Sequence, residues 1–528
     1  MKRLLLLLAL SGPAGFQQAL LTLTGASCVE ELSEDEMQRY QSLAAHPVDL
    51  NLAGRSRLLA TGLLTPYQVA SLLDYRSRTG DILSWTELAL VDGFNEKLVS
   101  ALREFAVLGL RDAPPGRRDD RRLRQTVQLR GTLRGDGTAA GGVKYEAAWG
   151  ERAALYLSAR NTLQEPVPGF PTFSAAYYGK RALGQLVVGH FNARFGQGLL
   201  HWSGFSLSGY STVGAFRKNG TGLSPTGSFS PSLLGLAAEW NFGPWSLSTA
   251  YSWSGNRPVA NLTRTWRRAT AGLTATSDGA SLEARIGLPG WSLFGEAACT
   301  WTGQPSVLAG AYHVPAYGRR LALLARWYGP ADRRWSGVAA GFEAPAFSVT
   351  ADAGLRTDTG ARQFRTVLQW QPALEVRSVP LKPGVRLAVR YRPEDGAPLR
   401  TELRGSVEAQ RGPWLLSGRY DAVWCRGFAW QWYAEAARKS DVWALYLRGG
   451  LFKVDDWEDR IYVYERDAPG SFNVPARYGR GWNASLYAAW HIGRHHSLWL
   501  RLETVRYPWN LTEKESRTEV RLQYRYRY

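Results

Sequence analysis

Hydrophobic and polar residues alternate without a break from Arg517 to the end of the chain. Valine, leucine and tyrosine side chains fall on one face, and arginine, glutamate and glutamine side chains fall on the other. Successive side chains of a β-strand point to opposite sides, so this period of two predicts a strand with one apolar and one polar face. The same alternation occurs in TVQLRGTLRG at residues 126–135 and in SLWLRLETV at residues 497–505. The pattern therefore predicts β structure at both ends of a long segment.

Strand-like runs separated by turn clusters continue through residues 126–528. Clusters such as DGTAAGG, GPADRR and RTDTGAR are rich in residues that favour turns. At about ten residues per strand plus turns, the segment has room for roughly 16–24 strands, and an even number is expected if both ends lie on one side. A soluble sandwich or propeller is the alternative, but no repeat of fixed period supports a propeller.

The composition favours a membrane protein over a soluble one. Of 528 residues, 12% are aromatic, 55 are glycine, and the formal net charge is +19. No run of about 18 apolar residues follows the N-terminus, which excludes transmembrane helices. A chain can otherwise cross a bilayer only as a closed barrel with an apolar outer face and a polar lumen. The sequence therefore predicts a mostly β fold, with a large antiparallel transmembrane β-barrel at residues 126–528.

Residues 1–27 are predicted to be a signal peptide. Two basic residues precede the apolar run Leu4–Leu10, which is too short to span a membrane. The small residues at 25–27 offer a cleavage site, and Cys28 directly after them offers a second interpretation, lipidation of its thiol. Gly25 stands where a lipoprotein signal has leucine, so the sequence favours ordinary cleavage over lipidation.

Residues 28–110 have a different pattern, with apolar residues at helical spacing and few turn glycines. Ser33, Thr65 and Ser84 are each followed three residues later by glutamate or glutamine, which is the capping box of a helix start. Asn95 is a further N-cap candidate. These signals predict a small all-α domain of about five short helices. The charged, proline-containing segment 111–125 is the predicted linker to the barrel.

The stretch from Pro47 to Phe105 resembles the tandem helix-hairpin-helix domain of competence proteins, in its DLN-A start, its YR-R-G helix end and its S--EL--V-GF-E second half. The resemblance implies that backbone N–H groups of a hairpin cradle DNA phosphates. It assigns this role to Gly93, Phe94, Asn95, Lys97, Arg55 and Arg57. Asn95 replaces the second glycine of the hairpin pattern, and Pro66 removes an N–H donor from the first hairpin.

The charge of the helical domain bears on that role. Residues 29–110 contain twelve acidic and seven basic side chains, a formal charge of −5. DNA binding depends on cationic side chains that displace counterions, so an acidic module favours docking on the barrel or on another protein. The basic excess lies in the linker and the barrel. Arginines there either make an anion-favouring or DNA-conducting lumen, or pair with lumen carboxylates and lipopolysaccharide.

Residues 192–231 break the alternation and are dense in glycine and serine. Their FGQGL--W-GF and -RK-G-GL-P motifs resemble barrels of the Bacteroidetes that carry the same helical domain. From the residues alone, the segment is a long loop folded into the lumen as a plug, because a wide barrel otherwise stays an open pore. The candidate lumen residues are Arg194, Gly196, Gln197, Gly198, Arg217 and Lys218.

No catalytic constellation, nucleotide-binding loop or metal-ligand spacing stands out, so the sequence predicts a non-enzymatic protein without cofactor or metal. The expected partners are outer-membrane lipids and lipopolysaccharide, the barrel-assembly machinery during insertion, and a periplasmic protein. The leading hypothesis is an outer-membrane barrel whose periplasmic helix-hairpin-helix domain docks or gates in envelope assembly or transport. The alternative is a DNA-uptake channel whose hairpins contact DNA phosphates.

Overall fold

A computed structural model describes residues 13–109, 123–163, 165, 169, 171–179, 181–207, 209–228, 233–315, 318–329, 334–393, 399–510 and 514–528. Over these residues the fold is a closed antiparallel barrel of 24 strands, preceded by a small helical region. The predicted fold class is confirmed, and the strand number lies at the upper end of the predicted range. The apolar run of the predicted signal peptide and most of the predicted linker fall outside the described residues.

Six α-helices lie in the described part of the chain before the barrel: α1 Pro13–Thr24, α2 Glu34–Ala45, α3 Arg55–Thr61, α4 Pro66–Thr79, α5 Trp85–Ala89 and α6 Glu96–Leu102. Ser33, Thr65 and Ser84 each accept a hydrogen bond from the backbone N–H three residues later, as the capping signals predict. A two-stranded parallel sheet pairs Val48–Asp49 with Ala106–Val107. It connects the segment between α2 and α3 to the segment after α6. No helix among the described residues is long and apolar enough to cross a membrane.

The first twelve barrel strands are β1 Leu123–Arg134, β2 Ala139–Trp149, β3 Ala153–Arg160, β4 Thr172–Tyr178, β5 Leu183–Arg194, β6 Leu233–Phe242, β7 Trp245–Ser252, β8 Arg257–Thr265, β9 Ala269–Thr276, β10 Gly279–Leu288, β11 Trp291–Thr300 and β12 Pro305–His313. The second twelve are β13 Arg320–Tyr328, β14 Ser336–Ala344, β15 Phe347–Leu355, β16 Arg362–Trp370, β17 Val379–Tyr391, β18 Leu399–Arg411, β19 Trp414–Trp424, β20 Phe428–Lys439, β21 Trp443–Val454, β22 Gly479–Ile492, β23 His496–Arg506 and β24 Arg517–Arg527.

Each barrel strand pairs with the next one along the chain, and β24 closes the barrel against β1. In β24, Leu522 faces outward and is 50% exposed, whereas Glu519 and Gln523 face the lumen and are 1% exposed. Closure pairs every strand edge, as a lipid environment requires. Both ends of the barrel lie at one rim, here called the turn rim, where most connections are short. The long β5–β6 loop (residues 195–232) and β21–β22 loop (residues 455–478) leave the opposite rim, here called the loop rim.

The outward face of the barrel carries two belts of aromatic side chains. Exposed aromatic residues at the turn rim include Trp149, Phe242, Trp245, Trp266, Trp291, Trp370, Trp414 and Trp490. Those at the loop rim include Tyr251, Trp253, Trp301, Trp327, Phe364, Trp424 and Phe428. Exposed leucines such as Leu273, Leu387 and Leu447 lie between the belts. An apolar band flanked by aromatic girdles is the outer surface of a membrane-spanning barrel.

The helical region lies inside this barrel, and its residues 28–109 are here called the plug. Its side chains contact residues of β1, β2, β3, β6, β14, β16 and β19, on opposite sides of the wall. The sequence predicts that this domain docks on the barrel or on another protein, and that residues 192–231 fold into the lumen as a plug. The β5–β6 and β21–β22 loops do fold inward, but they pack onto the plug through Leu207, Tyr464 and Phe472. Helices and loops therefore occupy the lumen together.

Candidate functional site

The plug has an apolar core of its own. Leu58, Leu72, Leu102 and Phe105 are completely buried. The ring of Phe105 packs edge-on against Tyr40, with 5.1 Å between the ring centroids. Helical spacing of apolar residues places them on the inner side of each short helix. The plug is therefore held together mainly by burial of apolar surface.

Glutamates on the first part of the plug bind arginines of the barrel wall. The pairs are Glu30 with Arg404 (3.3 Å) and Arg419, Glu31 with Arg365 (3.2 Å) and Arg386 (3.4 Å), Glu34 with Arg160 (3.2 Å), and Glu36 with Arg194 (3.4 Å). Burial opposes the charged form of Glu30, but Arg404 and Arg419 nevertheless hold its pKa well below the ordinary value. The arginines lie on β3 and β5 and, across the lumen, on β16–β19.

Cations of the plug bind carboxylates at the turn-rim side of the wall. The pairs are Arg55 with Glu239 of β6 (3.1 Å), Arg57 with Glu151 of the β2–β3 turn (2.8 Å), and Lys97 with Glu343 of β14 (2.5 Å). Burial disfavours the charge of Arg57, but Glu151 raises its pKa above the ordinary value. The three cations that were predicted to contact DNA phosphates are thus directed to three separate parts of the wall. Arg103, a fourth cation of the domain, lies over the ring of Trp85 at 5.7 Å.

The turn between α5 and α6, which the resemblance predicts to be a DNA-binding hairpin, is exposed at the turn rim. Gly93 has a φ of +86°, and a Cβ at this position would strike Tyr67, so both backbone and space require glycine. Asn95 caps α6 by accepting a hydrogen bond from the N–H of Leu98 (2.9 Å). Phe94 is buried in the plug core, whereas Gly93, Asn95 and Lys97 are exposed. DNA binding by this hairpin stays a prediction.

Cys28 lies between α1 and the short turn that carries Glu30 and Glu31. Burial raises the pKa of its thiol to about 11, and Glu30 and Glu31 act in the same direction. Arg386 and Arg404 of the wall are close enough to act against that rise. A lipid on this sulfur reaches the bilayer only if the segment leaves the lumen. Lipidation stays a prediction that depends on such a rearrangement.

Arg194, Arg217 and Lys218 of the predicted lumen segment are directed inward. Arg194 binds Glu36 of the plug and lies over the ring of Trp202 at 5.6 Å. Lys218 lies over the same ring at 5.1 Å, and Arg217 donates a hydrogen bond to the Oγ of Ser292 (3.3 Å). These residues connect the β5–β6 loop to the plug and to the wall.

Gly196, Gln197 and Gly198 anchor the same loop to one wall carboxylate. The N–H of Gln197 donates to Oε2 of Glu296 (2.6 Å), and the N–H of Leu199 donates to the same oxygen (3.2 Å). Gly196 has a φ of +60°, and a Cβ there would strike the carboxylate of Glu296. Gly198 also has a positive φ of +75°. The glycines therefore let the loop backbone approach β11.

Among the described residues, the gaps between plug and wall include one of about 100 Å³ between α2, α3 and strands β1–β5, and a smaller one of about 40 Å³ between α3, α4 and strands β6–β10. His46 lines the larger gap and bonds through Nε2 to the Oγ1 of Thr126 (2.8 Å). Burial lowers the pKa of His46 to about 4, and Arg527, Arg124 and Arg525 act in the same direction, whereas Glu146 acts against it. Gaps of this size hold a few water molecules.

No sequence pattern marks the wall residues that bind the plug. Glu151, Glu239 and Glu343 carry no motif, and the four arginines of β16–β19 are ordinary lumen positions. One signal was present: the helical domain is acidic while the whole chain carries +19. Opposite charges of this kind favour docking of one part on the other. Among the described residues, no group of His, Cys, Asp and Glu side chains is placed to hold a metal ion.

Comparison with known proteins gives only distant structural similarity. No protein-family model matches the chain, and no curated protein matches it. Among solved structures, OpdQ of Pseudomonas aeruginosa aligns over 77% of this chain and 98% of its own, at 10% identity and a TM-score of 0.32. OccK3 (OpdO) of the same organism aligns over 78% and 97%, at 12% identity and a TM-score of 0.32. The outer membrane protein OpdK aligns over 77% and 99%, at 12% identity and a TM-score of 0.31. Similarities of this size transfer neither a substrate nor a mechanism to this chain.

Proposed function

We propose that this protein is a gated outer-membrane channel, in which the plug closes the lumen and opens it by undocking. The observation that carries the proposal is the contrast between the inside and the outside of the plug. Its core is mainly apolar, whereas its contacts with the wall include many ion pairs and hydrogen bonds beside an apolar contact, that of Ala60 with strands β4 and β5. Such contacts can be exchanged for water or for a solute without unfolding the domain.

The membrane orientation follows from the two rims. In transmembrane barrels of outer membranes the short turns face the periplasm and the long loops face outside. On this basis the turn rim, with the exposed second hairpin, is periplasmic. Leu83 and Leu90 of this part of the plug are 73% and 82% exposed. They give a periplasmic protein an accessible surface by which to displace the plug.

The test is a covalent lock between plug and wall. Ser56 of α3 lies against Gly184 of β5, and a Cβ on Gly184 would meet both the Ser56 hydroxyl and the side chain of Asn241. Replacing Ser56 and Gly184 by cysteine, with Asn241→Ala to make room, places two thiols within disulfide reach. The variant is built with Cys28, Cys299 and Cys425 replaced by serine. The single-cysteine variants S56C and G184C are the matched controls.

The purified full chain is reconstituted in planar bilayers, and moderate urea is added to weaken docking. We expect stepwise conductance from the reduced double-cysteine variant and from both controls. The oxidised variant should stay closed until a reductant is added. Equal conductance of the oxidised and reduced forms would show that ions pass without plug movement, and the gating model would be wrong.

DNA transport is the second candidate, favoured by the exposure of Gly93, Asn95 and Lys97 at the turn rim. It is tested by fluorescence anisotropy of the full chain with duplex and single-stranded DNA at two salt concentrations. Binding that weakens steeply with salt and falls in K97A would support it. Absence of binding at low salt would exclude it.

A further inference from the structure

Four lumen arginines converge on two neighbouring plug carboxylates. Arg365, Arg386, Arg404 and Arg419 come from the consecutive strands β16, β17, β18 and β19. The first two bind Glu31 and the last two bind Glu30. Both glutamates lie in the short turn Val29–Glu31 at the start of the plug.

This arrangement of like charges depends on the anions placed between them. Arg386 and Arg404 are directly opposite each other in the β17–β18 ladder. Like charges at opposed positions repel and destabilise a sheet unless they are compensated. The wall supplies Asp421, which binds Arg404 (2.8 Å) and Arg419 (2.7 Å), and Glu402, which lies 3.6 Å from Arg386. The plug supplies the remaining compensation.

Further donors complete the site from the two long loops. The N–H of Tyr464 in the β21–β22 loop donates to Oε1 of Glu30 (3.1 Å). The hydroxyl of Ser211 in the β5–β6 loop donates to Oε2 of Glu31 (2.7 Å). The carboxylates are thus surrounded by guanidinium, hydroxyl and backbone N–H donors from wall and loops. These are the groups that bind carboxylate and phosphate oxygens.

We propose that this cluster is an anion-binding site of the channel, and that Glu30 and Glu31 occupy it as a built-in competitor while the plug is docked. The ligand is a solute that carries two or more negatively charged carboxylate or phosphate oxygens. In the unmodified chain, its binding and the docking of Glu30 and Glu31 on these arginines exclude each other. The inference rests on the proposed function, since the site becomes free only when the plug moves.

Binding to the full chain in detergent tests this without a membrane. Glu30→Ala with Glu31→Ala removes the competitor and leaves room for a ligand, and Glu34→Ala, which removes the partner of Arg160 on another part of the wall, is the matched control. Isothermal titration uses citrate and inorganic phosphate as probes. Heat-dependent migration in SDS gels checks that each barrel is folded.

We expect E30A/E31A to bind citrate or phosphate at least about tenfold more tightly than the unmodified chain, because competition by two charged groups is removed. E34A should bind like the unmodified chain. Adding R404Q and R419Q to E30A/E31A should abolish the gain. The probe that binds more tightly identifies carboxylate or phosphate as the ligand group.

Two results would overturn the proposal: E30A/E31A binding both probes no more tightly than E34A, or a gain that survives R404Q and R419Q. The outcome is independent of the bilayer experiment. A channel that conducts equally with the lock open and closed refutes gating even if the anion site binds citrate. A gated channel whose E30A/E31A variant gains no anion affinity refutes only this inference.

Discussion

The core of the plug and its contact with the wall are built from opposite kinds of interaction. Inside the plug, leucine and phenylalanine side chains are completely buried against each other. At the wall, each plug carboxylate or cation described above faces a partner of opposite charge. Apolar burial stabilises the plug wherever it is, whereas the ion pairs stabilise it only in the lumen. The proposed gating therefore predicts that the plug keeps its fold after it undocks.

The wall itself shows the same division between its two faces. Leucine and tryptophan side chains cover the outside, and arginine and glutamate side chains line the inside of the same strands. The lipid-facing surface makes the barrel a fixed part of the membrane. The polar lumen makes its contents exchangeable. Four predictions address the contrast between fixed and exchangeable contacts.

The largest effect is expected from truncation in the plug core. Phe105→Ala removes a completely buried ring, which costs about 3–5 kcal/mol of plug stability. Hydrogen exchange measured by mass spectrometry should show loss of protection in α2–α6 and unchanged protection in the barrel strands. Leu90→Ala, at an 82% exposed position, is the control. Equal loss of protection in the barrel would show that plug and wall form one cooperative unit.

Breaking a buried plug–wall pair should loosen docking while the plug stays folded. Arg57→Gln leaves the buried Glu151 with Arg124 at 3.6 Å and the N–H of Asp49 at 3.3 Å, which weakens docking by about 3 kcal/mol. The readout is maleimide labelling of S56C, whose native serine is 4% exposed in the docked state. Labelling should be faster in R57Q and partly restored in R57Q/E151Q. Unchanged labelling would mean that this pair does not hold the plug.

Acidification should also loosen docking, through His46. Its pKa is lowered from 6.5 to about 4 in the docked plug, so the released plug binds the proton more strongly. The contribution is fully present above pH 6.5 and is lost as the pH falls toward 4, which is about 2 kcal/mol by pH 5. Glu146, Arg124, Arg525 and Arg527 are the charged groups facing it. Labelling of S56C should rise between pH 7 and 5 and be flat in H46Q; a rise in both would assign the effect to other groups.

The smallest effect is expected at the exposed pair of Lys97 and Glu343. The side chain of Lys97 is 51% exposed, so water and salt screen the contact. K97A should weaken docking by less than about 1 kcal/mol and change S56C labelling only slightly. An effect as large as that of R57Q would show that the rim, not the interior, holds the plug.

Local patterns predicted the elements well because they depend on near neighbours. The alternation in β24 predicts which side chains face lipid, and Leu522 and Glu519 lie accordingly. The capping signals at Ser33, Thr65 and Ser84 start α2, α4 and α5. The position of the helices inside the barrel was not predicted, because no local sequence pattern shows that Arg57 and Glu151 are in contact. The resemblance to a helix-hairpin-helix domain predicted a role for Gly93 and Asn95 and none for Glu30 and Glu31.

By itself, the sequence determined a membrane barrel, a separate helical domain and an opposite charge on each. Periodicity and helix capping are properties of short segments, and net charge is a total over all residues of a domain. All three can therefore be read without the tertiary structure. Only the tertiary structure decided that the barrel has 24 strands, that the helices fill it, and that Glu30 and Glu31 meet four wall arginines. Those facts depend on which residues, far apart in the sequence, lie at the same level of the lumen and face each other. Closure of the whole barrel around the plug determines these contacts.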